Sequence, residues 1–389
     1  QIMFKYACLN PIAQIGLDHF TDQFEKTDNV SEAEAILVRS ADMHDMEFSE
    51  NLLAVARAGA GVNNIPTEEL AKKAIVVFNT PGANANGVKE LVLAALFLSS
   101  RNIVGGIEWG KENISDPNAL KRAEKEKKQF TGHEIAGKKL GIIGLGAIGQ
   151  LVANAATHLG MEVYGYDPYI SIDAAWNLSR SIKHIKNVND IYSQCDYITI
   201  HVPALDSTKG MIGEEAISLM KPNAVVLNYA RDVLVDEQAM VKALKEGRIA
   251  RYCTDFASSA LADAPNVMVT PHLGASTFES EDNCAVMAVR ELRNYLLEGN
   301  IRNSVNYPNC DLGPCVTAGR VAVYHLNQPA MISAFTTVIG EEKINIQNII
   351  NKSKGDFAYT LIDTDSEITD HLMDKLSKAK GVVKVRRVK

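Results

Sequence analysis

An arginine and a histidine in the second half of the chain have the side chains and positions needed to bind a small carboxylate and to move a proton. Arg231 follows the apolar run at residues 224–227, and His272 follows the run at 267–269. If both runs are parallel strands, the residues after them face the ligand crevice of a sheet. A guanidinium there can hold a carboxylate through two hydrogen bonds, and histidine suits a base that takes a hydroxyl proton as hydride leaves. The alternatives are a surface salt-bridge arginine and a structural histidine.

A glycine turn in the middle of the chain predicts a dinucleotide site. Gly144, Gly146 and Gly149 form G-x-G-x-x-G between a predicted strand at 140–143 and a predicted helix at 148–159. The glycines allow a tight turn, a close approach of pyrophosphate and close helix packing. Asp167 ends the next predicted strand, 162–166, about 20 residues on, where a carboxylate binds ribose hydroxyls and repels a 2′-phosphate. The predicted cofactor is therefore NAD, not NADP; a turn without a ligand is the alternative.

These residues need an α/β framework, and the first 300 residues predict one. Short apolar runs alternate with longer amphipathic segments, which is typical of parallel strands covered by helices. The runs predicted as strands are 35–38, 75–78, 140–143, 162–166, 197–200, 224–227, 252–254 and 267–269. Because the nucleotide unit starts near residue 140, a separate folding unit must precede it.

The last 70 or so residues predict a different module. Strands at 320–324, 346–352, 358–363 and 382–388, with helices at 330–339 and 369–379, give the order βαββαβ. This order is typical of a ferredoxin-like α+β sandwich. Residues 306–314, rich in proline, glycine and asparagine, are interpreted as a linker before it.

Composition narrows the possible classes of protein. The 389 residues suffice for two or three domains, and 46% hydrophobic with 22% charged residues is typical of globular proteins. A net charge of −7 argues against a nucleic-acid partner. No apolar run has the length of a membrane span, and no secretory signal is visible, so a cytoplasmic location without membrane contact is expected. The cysteines are expected to be buried free thiols, and no metal site is expected; they are Cys8, Cys195, Cys253, Cys284, Cys310 and Cys315.

Seven ordered blocks carry a family resemblance across almost the whole chain. They are LVRS at 37–40, RAGAGVNN at 57–64, FNTPGANAN at 78–86, the glycine turn, HVP at 201–203, NYAR at 228–231 and TPHLGAST at 270–277. With these blocks the chain resembles the D-isomer-specific 2-hydroxyacid dehydrogenases. Within that family it is most similar to the members that act on 3-phosphoglycerate and carry a C-terminal ACT domain.

The resemblance implies a fold, an activity and partners. A Rossmann-type NAD domain, 96–283, would be inserted into a flavodoxin-like substrate domain, 1–95 and 284–308, with a ferredoxin-like ACT regulatory domain at 316–389. The implied activity is NAD-dependent oxidation of 3-phospho-D-glycerate to 3-phosphohydroxypyruvate, the first step of L-serine biosynthesis. A homodimer or homotetramer is implied, and L-serine is a possible ligand of the ACT domain.

The resemblance also assigns residues to each site. Arg231 and His272 are the implied catalytic pair. The implied cofactor contacts are Gly144, Gly146, Ala147, Ile148, Gly149, Asp167, His201, Pro203, Tyr229, Ala230, Asp255, Gly274 and Ala275. The implied substrate contacts are Arg39, Ser40, Gly59, Ala60, Gly61 and Asn84, with Arg39, Arg57 and Lys89 as candidate partners for a phosphate. The implied serine contacts are His325, Asn327 and Asn345.

Three departures from the family pattern leave alternatives open. The glutamate expected about five residues after Asp255, which would orient the histidine, is Ala260, or Ser259 if the alignment slips by one. Asp232 stands where a glycine commonly follows the arginine, and Ala330 replaces a glycine in the ACT region. The alternatives are a dehydrogenase of hydroxypyruvate, glyoxylate or 2-oxoglutarate, a weakly active NAD-sensing protein, and an ACT fold used only for oligomerisation.

Overall fold

The computed structural model describes residues 3–389, which form two compact units. One unit comprises the chain up to Asn84 together with Phe278–Lys389, and the other is Ala85–Thr277. The domain boundaries predicted near residues 95 and 284 lie inside two helices, Ala85–Ser100 and Phe278–Glu298, whereas the units change where these helices begin. The division into three functional domains stays a prediction.

The first unit opens with a five-stranded parallel sheet. Its elements are β1 (Phe4–Cys8), α1 (Gln14–Leu17), β2 (Phe24–Lys26), β3 (Ala35–Val38), β4 (Ala54–Arg57), α2 (Thr67–Lys72) and β5 (Val76–Phe78). The strand order β2-β1-β3-β4-β5 is the flavodoxin-like order. All four residues of β3 are buried, as expected for a strand covered on both faces.

The second unit is built on a seven-stranded parallel sheet. Its elements are α3 (Ala85–Ser100), α4 (Ile103–Asn113), α5 (Ala119–Glu126), β6 (Lys139–Ile143), α6 (Ala147–His158), β7 (Glu162–Tyr166), α7 (Ile172–Trp176), β8 (Lys183–His184), α8 (Val188–Gln194), β9 (Tyr197–Ile200), α9 (Glu214–Leu219), β10 (Val225–Asn228), α10 (Glu237–Lys245), β11 (Arg251–Thr254) and β12 (Val267–Val269). The order β12-β11-β10-β9-β6-β7-β8 contains the Rossmann order, with β6 as its first strand. The predicted Rossmann-type α/β fold is confirmed.

The chain then returns to the first unit through a long helix and a four-stranded antiparallel sheet. These elements are α11 (Phe278–Glu298), β13 (Gly319–Leu326), α12 (Met331–Glu341), β14 (Ile346–Lys354), β15 (Phe357–Thr364), α13 (Asp370–Ser377) and β16 (Val382–Arg387). The order β14-β15-β13-β16 is that of a ferredoxin-like βαββαβ module, as predicted. One face of this sheet packs on α12 and α13, and Tyr324 and Tyr359 on the other face pack against Tyr295 of α11.

The prediction of a linker at 306–314 was wrong. Tyr307 and Cys310 are buried in the core of the first unit, with exposures of 0% and 1%. The Tyr307 hydroxyl donates to the Ala71 carbonyl at 2.8 Å, and the Val77 amide donates to Asn306 Oδ1 at 2.9 Å. Proline, glycine and asparagine indicate that the chain turns, but they do not report whether the turning chain is covered.

Three further predictions concern membrane spans, metal sites and the state of the cysteines. Between residues 3 and 389 no single helix is long and apolar enough to cross a membrane; only α3 and α4 together, bent by 73°, have the length and composition. The same residues contain no group of three or more His, Cys, Asp or Glu side chains placed to hold a metal. All six cysteines are free thiols, and four of them are buried.

Candidate active site

Three neighbouring strands of the second unit end at the predicted catalytic residues. In the parallel register, Asn228 of β10 pairs with Thr254 of β11, which pairs with Val269 of β12. The ends of these strands are therefore level. Arg231 and His272 follow two of the three ends within three residues. The fold thus brings both to the carboxyl edge, where open α/β sheets bind ligands.

Arg231 presents an open guanidinium at this edge. The residue is exposed and precedes a 3₁₀ turn, Asp232–Leu234. Its carbonyl accepts a hydrogen bond from Asn228 Nδ2 at 2.9 Å, and one guanidinium nitrogen donates to the Ala230 carbonyl at 2.6 Å. No carboxylate of residues 3–389 lies within 4.0 Å of the guanidinium. The remaining N–H groups can receive a substrate carboxylate.

His272 has an aromatic and an acidic neighbour. Its exposed ring lies 5.0 Å from the ring of Phe256, with an interplanar angle of 51°. Asp255, which is 1% exposed, accepts a hydrogen bond from the Gly274 amide at 3.2 Å through Oδ2. Burial raises the pKa of the Asp255 carboxyl, and the nearby His272 charge opposes this rise. A buried acid therefore lies close enough to His272 for their charges to interact.

This acidic neighbour bears on the missing family glutamate. Ala260 lies in a 3₁₀ turn, Ser259–Leu261, and lines a cavity of about 690 Å³ together with Asp255 and His272. No acid occupies position 260, but a buried acid lies on the same cavity. The family resemblance assigned Asp255 only to the cofactor and so missed its place beside His272. Its position directly after β11 was the available signal.

Asp232 lies on the histidine side of the site. It lines the cavity that contains His272, whereas Arg231 does not line that cavity. Its side chain is exposed, so the charge is solvated. A carboxylate directly after an anion-binding arginine would oppose substrate binding, and the exposed position of Asp232 reduces that opposition.

The glycine turn has the geometry that a pyrophosphate requires. Gly144 has a φ of +93°, and a Cβ there would lie 2.2 Å from the His201 carbonyl oxygen. A Cβ at Gly149 would lie 1.9 Å from the Gly144 carbonyl oxygen, so both positions need glycine. At Gly146 a Cβ would meet nothing within 4 Å. That open space, at the start of α6 with Ala147 and Ile148, is where a phosphate could approach the backbone.

Asp167 is fixed beside this turn. Its carboxylate accepts hydrogen bonds from the Leu145 and Tyr169 amides, each at 2.9 Å. A cavity of about 840 Å³ opens at the same place, which is a common size for a small-molecule site. Its lining includes the predicted cofactor residues Gly144, Gly146, Asp167, His201 and Pro203.

The remaining predicted cofactor residues lie near the strand ends. His201 Nε2 is 2.9 Å from Thr199 Oγ1, and burial lowers the pKa of His201 to about 4, so its ring is neutral at pH 7. Tyr229 and Ala230 follow β10; Tyr229 is buried, which raises the pKa of its hydroxyl above the usual range. Gly274 is buried beside Asp255, and Ala275 after it is exposed.

The predicted substrate residues lie at one edge of the first sheet. Arg39 and Ser40 follow β3, the Gly59–Gly61 loop with Ala60 follows β4, and Asn84 follows β5. These strands are neighbours in the sheet, so their carboxyl ends share an edge. Sequence reasoning missed one residue there: Asn10 Oδ1 accepts hydrogen bonds from the amides of Arg39, Ser40 and Ala41 at 2.9, 3.1 and 3.1 Å.

The three candidate phosphate partners differ in their surroundings. Arg57 donates from Nε to the Arg39 carbonyl at 2.8 Å and from a terminal nitrogen to the Gly61 carbonyl, so it holds both loops. Arg39 pairs with Glu281 at 2.8 Å, and both side chains are exposed. Lys89 lies in the second unit and donates to Asn86 Oδ1 at 2.7 Å.

The structure does not bring the three predicted serine contacts to one surface. His325 is 2% exposed; Nε2 lies 2.8 Å from Thr360 Oγ1 and Nδ1 lies 2.9 Å from the Leu326 carbonyl. Both ring nitrogens are thus occupied inside the module. Asn327 and Asn345 are exposed, and Asn327 donates to the Gly355 carbonyl at 3.0 Å.

Comparison with known proteins places this site in a family. Residues 93–274 match the family described as "D-isomer specific 2-hydroxyacid dehydrogenase, NAD binding domain". The D-3-phosphoglycerate dehydrogenase of Haemophilus influenzae is 31% identical over 353 residues, which cover 88% of this chain and 82% of that protein. The chain belongs to the D-isomer-specific 2-hydroxyacid dehydrogenases. Its second unit is accordingly an NAD-binding domain of this family of oxidoreductases.

Other members of the 2-hydroxyacid dehydrogenases differ in length and agree in fold. The Methanocaldococcus jannaschii D-3-phosphoglycerate dehydrogenase is 37% identical over 294 residues, covering 73% of this chain, but the match spans only 54% of that longer protein. The NAD+-bound 3-phosphoglycerate dehydrogenase structure from Entamoeba histolytica has a TM-score of 0.59 at 24% identity. It covers 78% of this chain and 99% of its own. At this identity the structural match shows the shared fold.

Proposed function

We propose that this protein oxidises 3-phospho-D-glycerate to 3-phosphohydroxypyruvate with NAD, the first step of L-serine biosynthesis. The observation that carries the proposal is the placement of an open guanidinium at Arg231 and an imidazole at His272 after the level ends of β10 and β12, the two strands that flank β11. The relatives that match most of the chain are D-3-phosphoglycerate dehydrogenases, which favours this hydroxy acid as the substrate.

The residues present fit the cofactor. The open space at Gly146, the fixed carboxylate of Asp167 and the cavity beside them suit a pyrophosphate followed by a ribose. Bound NAD would supply the acceptor for hydride. The chain itself would bind and orient the dinucleotide through the start of α6 and the end of β7.

The side chains at the strand ends would handle the substrate. Arg231 binds the carboxylate through two parallel hydrogen bonds and so fixes the carbon that loses hydride. His272 takes the hydroxyl proton on an imidazole nitrogen, which leaves a carbonyl at that carbon. Asp255 stabilises the imidazolium that results. For the phosphate we favour Arg39, because Arg57 is committed to backbone carbonyls and the Arg39–Glu281 pair is exposed and exchangeable.

We assign the C-terminal residues 316–389 to an ACT-type regulatory module and the whole chain to a cytoplasmic homo-oligomer. The ferredoxin-like strand order supports the module. Exposed apolar side chains on the second unit support self-association; they include Phe97, Ile103, Val104 and Ile107. If L-serine binds this module, Asn327 and Asn345 are available to it, whereas His325 is internally bonded.

The deciding experiment is reduction of 3-phosphohydroxypyruvate by purified protein, followed through NADH absorbance. We expect a higher kcat/KM for this acid than for hydroxypyruvate, glyoxylate or 2-oxoglutarate measured in parallel. The matched control is His272→Ala, which should bind NADH as the native protein does. A preference for another acid would replace the substrate, and NADH binding without turnover of any acid would favour an NAD-sensing protein.

A further inference from the structure

A cavity of about 440 Å³ lies against α11 in the first unit. We call it the α11 cavity. Gly82 and several polar side chains line it: Asn283, Arg290, Glu291, Asn294 and Asn303. The volume lies within the range of small-molecule sites. Nothing in the proposed reaction uses these side chains.

Glu291 is a buried acid with an unused oxygen. The residue is 8% exposed and accepts a hydrogen bond from Asn303 Nδ2 at 2.7 Å through Oε1. Oε2 is shielded from solvent and has no hydrogen-bond partner among residues 3–389. Burial raises the pKa of the Glu291 carboxyl to about 8. Buried polar atoms are almost always paired in native proteins, so Oε2 calls for a donor.

Arg290 supplies an open cation on the rim of the same cavity. Its side chain is exposed, and no carboxylate of residues 3–389 lies within 4.0 Å of it. The other guanidinium in the lining, Arg302, is already paired with Asp311. The cavity therefore contains one unsatisfied acid and one unpaired cation.

We propose that the α11 cavity binds a small zwitterion that carries a primary ammonium and a carboxylate, that is, an α-amino acid. The ammonium replaces the carboxyl proton at Glu291 Oε2, which is released to solvent, and donates to the resulting carboxylate; the carboxylate of the ligand accepts from the Arg290 guanidinium. Asn283 and Asn294 offer amide groups to the same ligand, and Val286 and Met287 give an apolar wall for its side chain.

A ligand in the α11 cavity would contact the loop that leads to the proposed substrate residue Asn84. Gly82 and Ala83 form one wall, and the next residue, Asn84, is a proposed substrate contact. A ligand held there changes the KM for the hydroxy acid more than kcat. This consequence rests on the proposed function, whereas binding of the amino acid does not.

Calorimetry on the full-length protein tests binding without any assay of activity. The probes are L-serine, L-alanine and L-methionine, with L-lactate lacking the ammonium and ethylamine lacking the carboxylate. We expect at least one amino acid to bind with a Kd below about 1 mM, and neither partial probe to match it. Glu291→Gln and Arg290→Gln should each weaken that binding by about tenfold or more.

A variant in the C-terminal module separates the two possible sites. Asn327→Ala should leave binding unchanged if the ligand occupies the α11 cavity. The proposal fails if no amino acid binds at about 10 mM, if L-lactate or ethylamine binds equally well, or if Asn327→Ala abolishes binding while Glu291→Gln does not. Because Arg290 is exposed, Arg290→Gln tests the proposal even if Glu291→Gln does not fold.

Discussion

At the scale of single residues, the proposed base, His272, has an acidic neighbour although position 260 carries an alanine. Asp255 and Ala260 line the same cavity as His272, and Asp255 is the buried one of its four acids, the others being Asp232, Asp236 and Glu237. We propose that Asp255 is a positioning residue, which stabilises a charge on the imidazole. The family glutamate and Asp255 would thus do similar work from different points around the ring.

Replacing Asp255 with asparagine tests this role. The amide keeps an oxygen for the Gly274 N–H but removes the negative charge beside His272. We expect kcat to fall by about tenfold or more, while the KM for NAD changes little. Steady-state kinetics over a pH series measure both, with His272→Ala as the reference for complete loss of the base. Native kcat in the asparagine variant would remove Asp255 from the mechanism.

Glu291 should make the stability of the protein depend on pH. Its pKa of about 8 in the folded protein exceeds the usual value of about 4.3 in an unfolded chain. The folded state therefore binds more protons between these values, and stability falls as pH rises through this window. A shift of this size corresponds to about 4–5 kcal/mol.

Glu291→Gln carries no titrating group and should flatten this pH dependence. Urea unfolding at pH 5 and pH 8 measures the free energy of unfolding of both proteins. We expect the native protein to lose several kcal/mol more than the variant between the two pH values. Glu281→Gln, on the same helix but exposed, is the matched control and should behave as the native protein does. Parallel curves for native protein and Glu291→Gln would contradict the assignment.

At the scale of elements, buried strands could be predicted from their continuous apolar runs, whereas contacts that depend on which strands are neighbours could not. The strands at 35–38 and 197–200 were predicted to the residue, because all of their residues are buried and such burial leaves a continuous apolar run. β8 was missed because it has only two residues, both exposed, and β4 was missed although it is buried. The acid beside His272 depends on β11 and β12 being neighbours, and the burial of His325 depends on the pairing of β13 with β15. The order of strands across a sheet leaves no pattern in the local sequence.

The start of α12 gives a prediction at this scale. Ala330, the residue before the helix, has a φ of +68°, the left-handed region that favours glycine. Ala330→Gly should relieve this strain and, after the added entropy of the unfolded chain, stabilise the protein by about 0.5–1 kcal/mol. Ala334→Gly, inside the same helix, should instead destabilise it by about 1 kcal/mol. Urea unfolding of both variants measures the signs, and a loss of stability at position 330 would show that the turn is unstrained.

At the scale of the whole molecule, the C-terminal module shares a core with the first sheet. One apolar cluster joins Leu37 of β3, Tyr295 of α11 and Tyr359 of β15. Buried cations reinforce this core: Arg320 pairs with Asp363 and donates to the Glu298 and Gly313 carbonyls at 2.9 and 2.7 Å. The first unit is therefore held together by packing that a tethered regulatory domain would lack.

Substitution of two adjacent arginines of β16 tests how strongly the C-terminal module is joined to α11. Arg386 is 9% exposed, lies over the Tyr295 ring at 4.8 Å and donates to the Tyr295 and Leu296 carbonyls, each at 2.8 Å. Arg387 is exposed and pairs with Asp370. Arg386→Ala removes a donor from two carbonyls of α11, of which Tyr295 keeps the Gly299 amide at 2.9 Å, and it also removes the contact with the Tyr295 ring. It should lower the free energy of unfolding by about 2–4 kcal/mol.

Arg387→Ala should change the same quantity by no more than about 0.5 kcal/mol, as is usual for surface substitutions. Urea unfolding followed by near-ultraviolet circular dichroism reports on the buried tyrosines and so on this core. If the two variants unfold alike, the cation at position 386 does not join the sheet to α11. A large loss confined to Arg386→Ala would show that the packed and hydrogen-bonded contact at this residue joins the C-terminal sheet to α11.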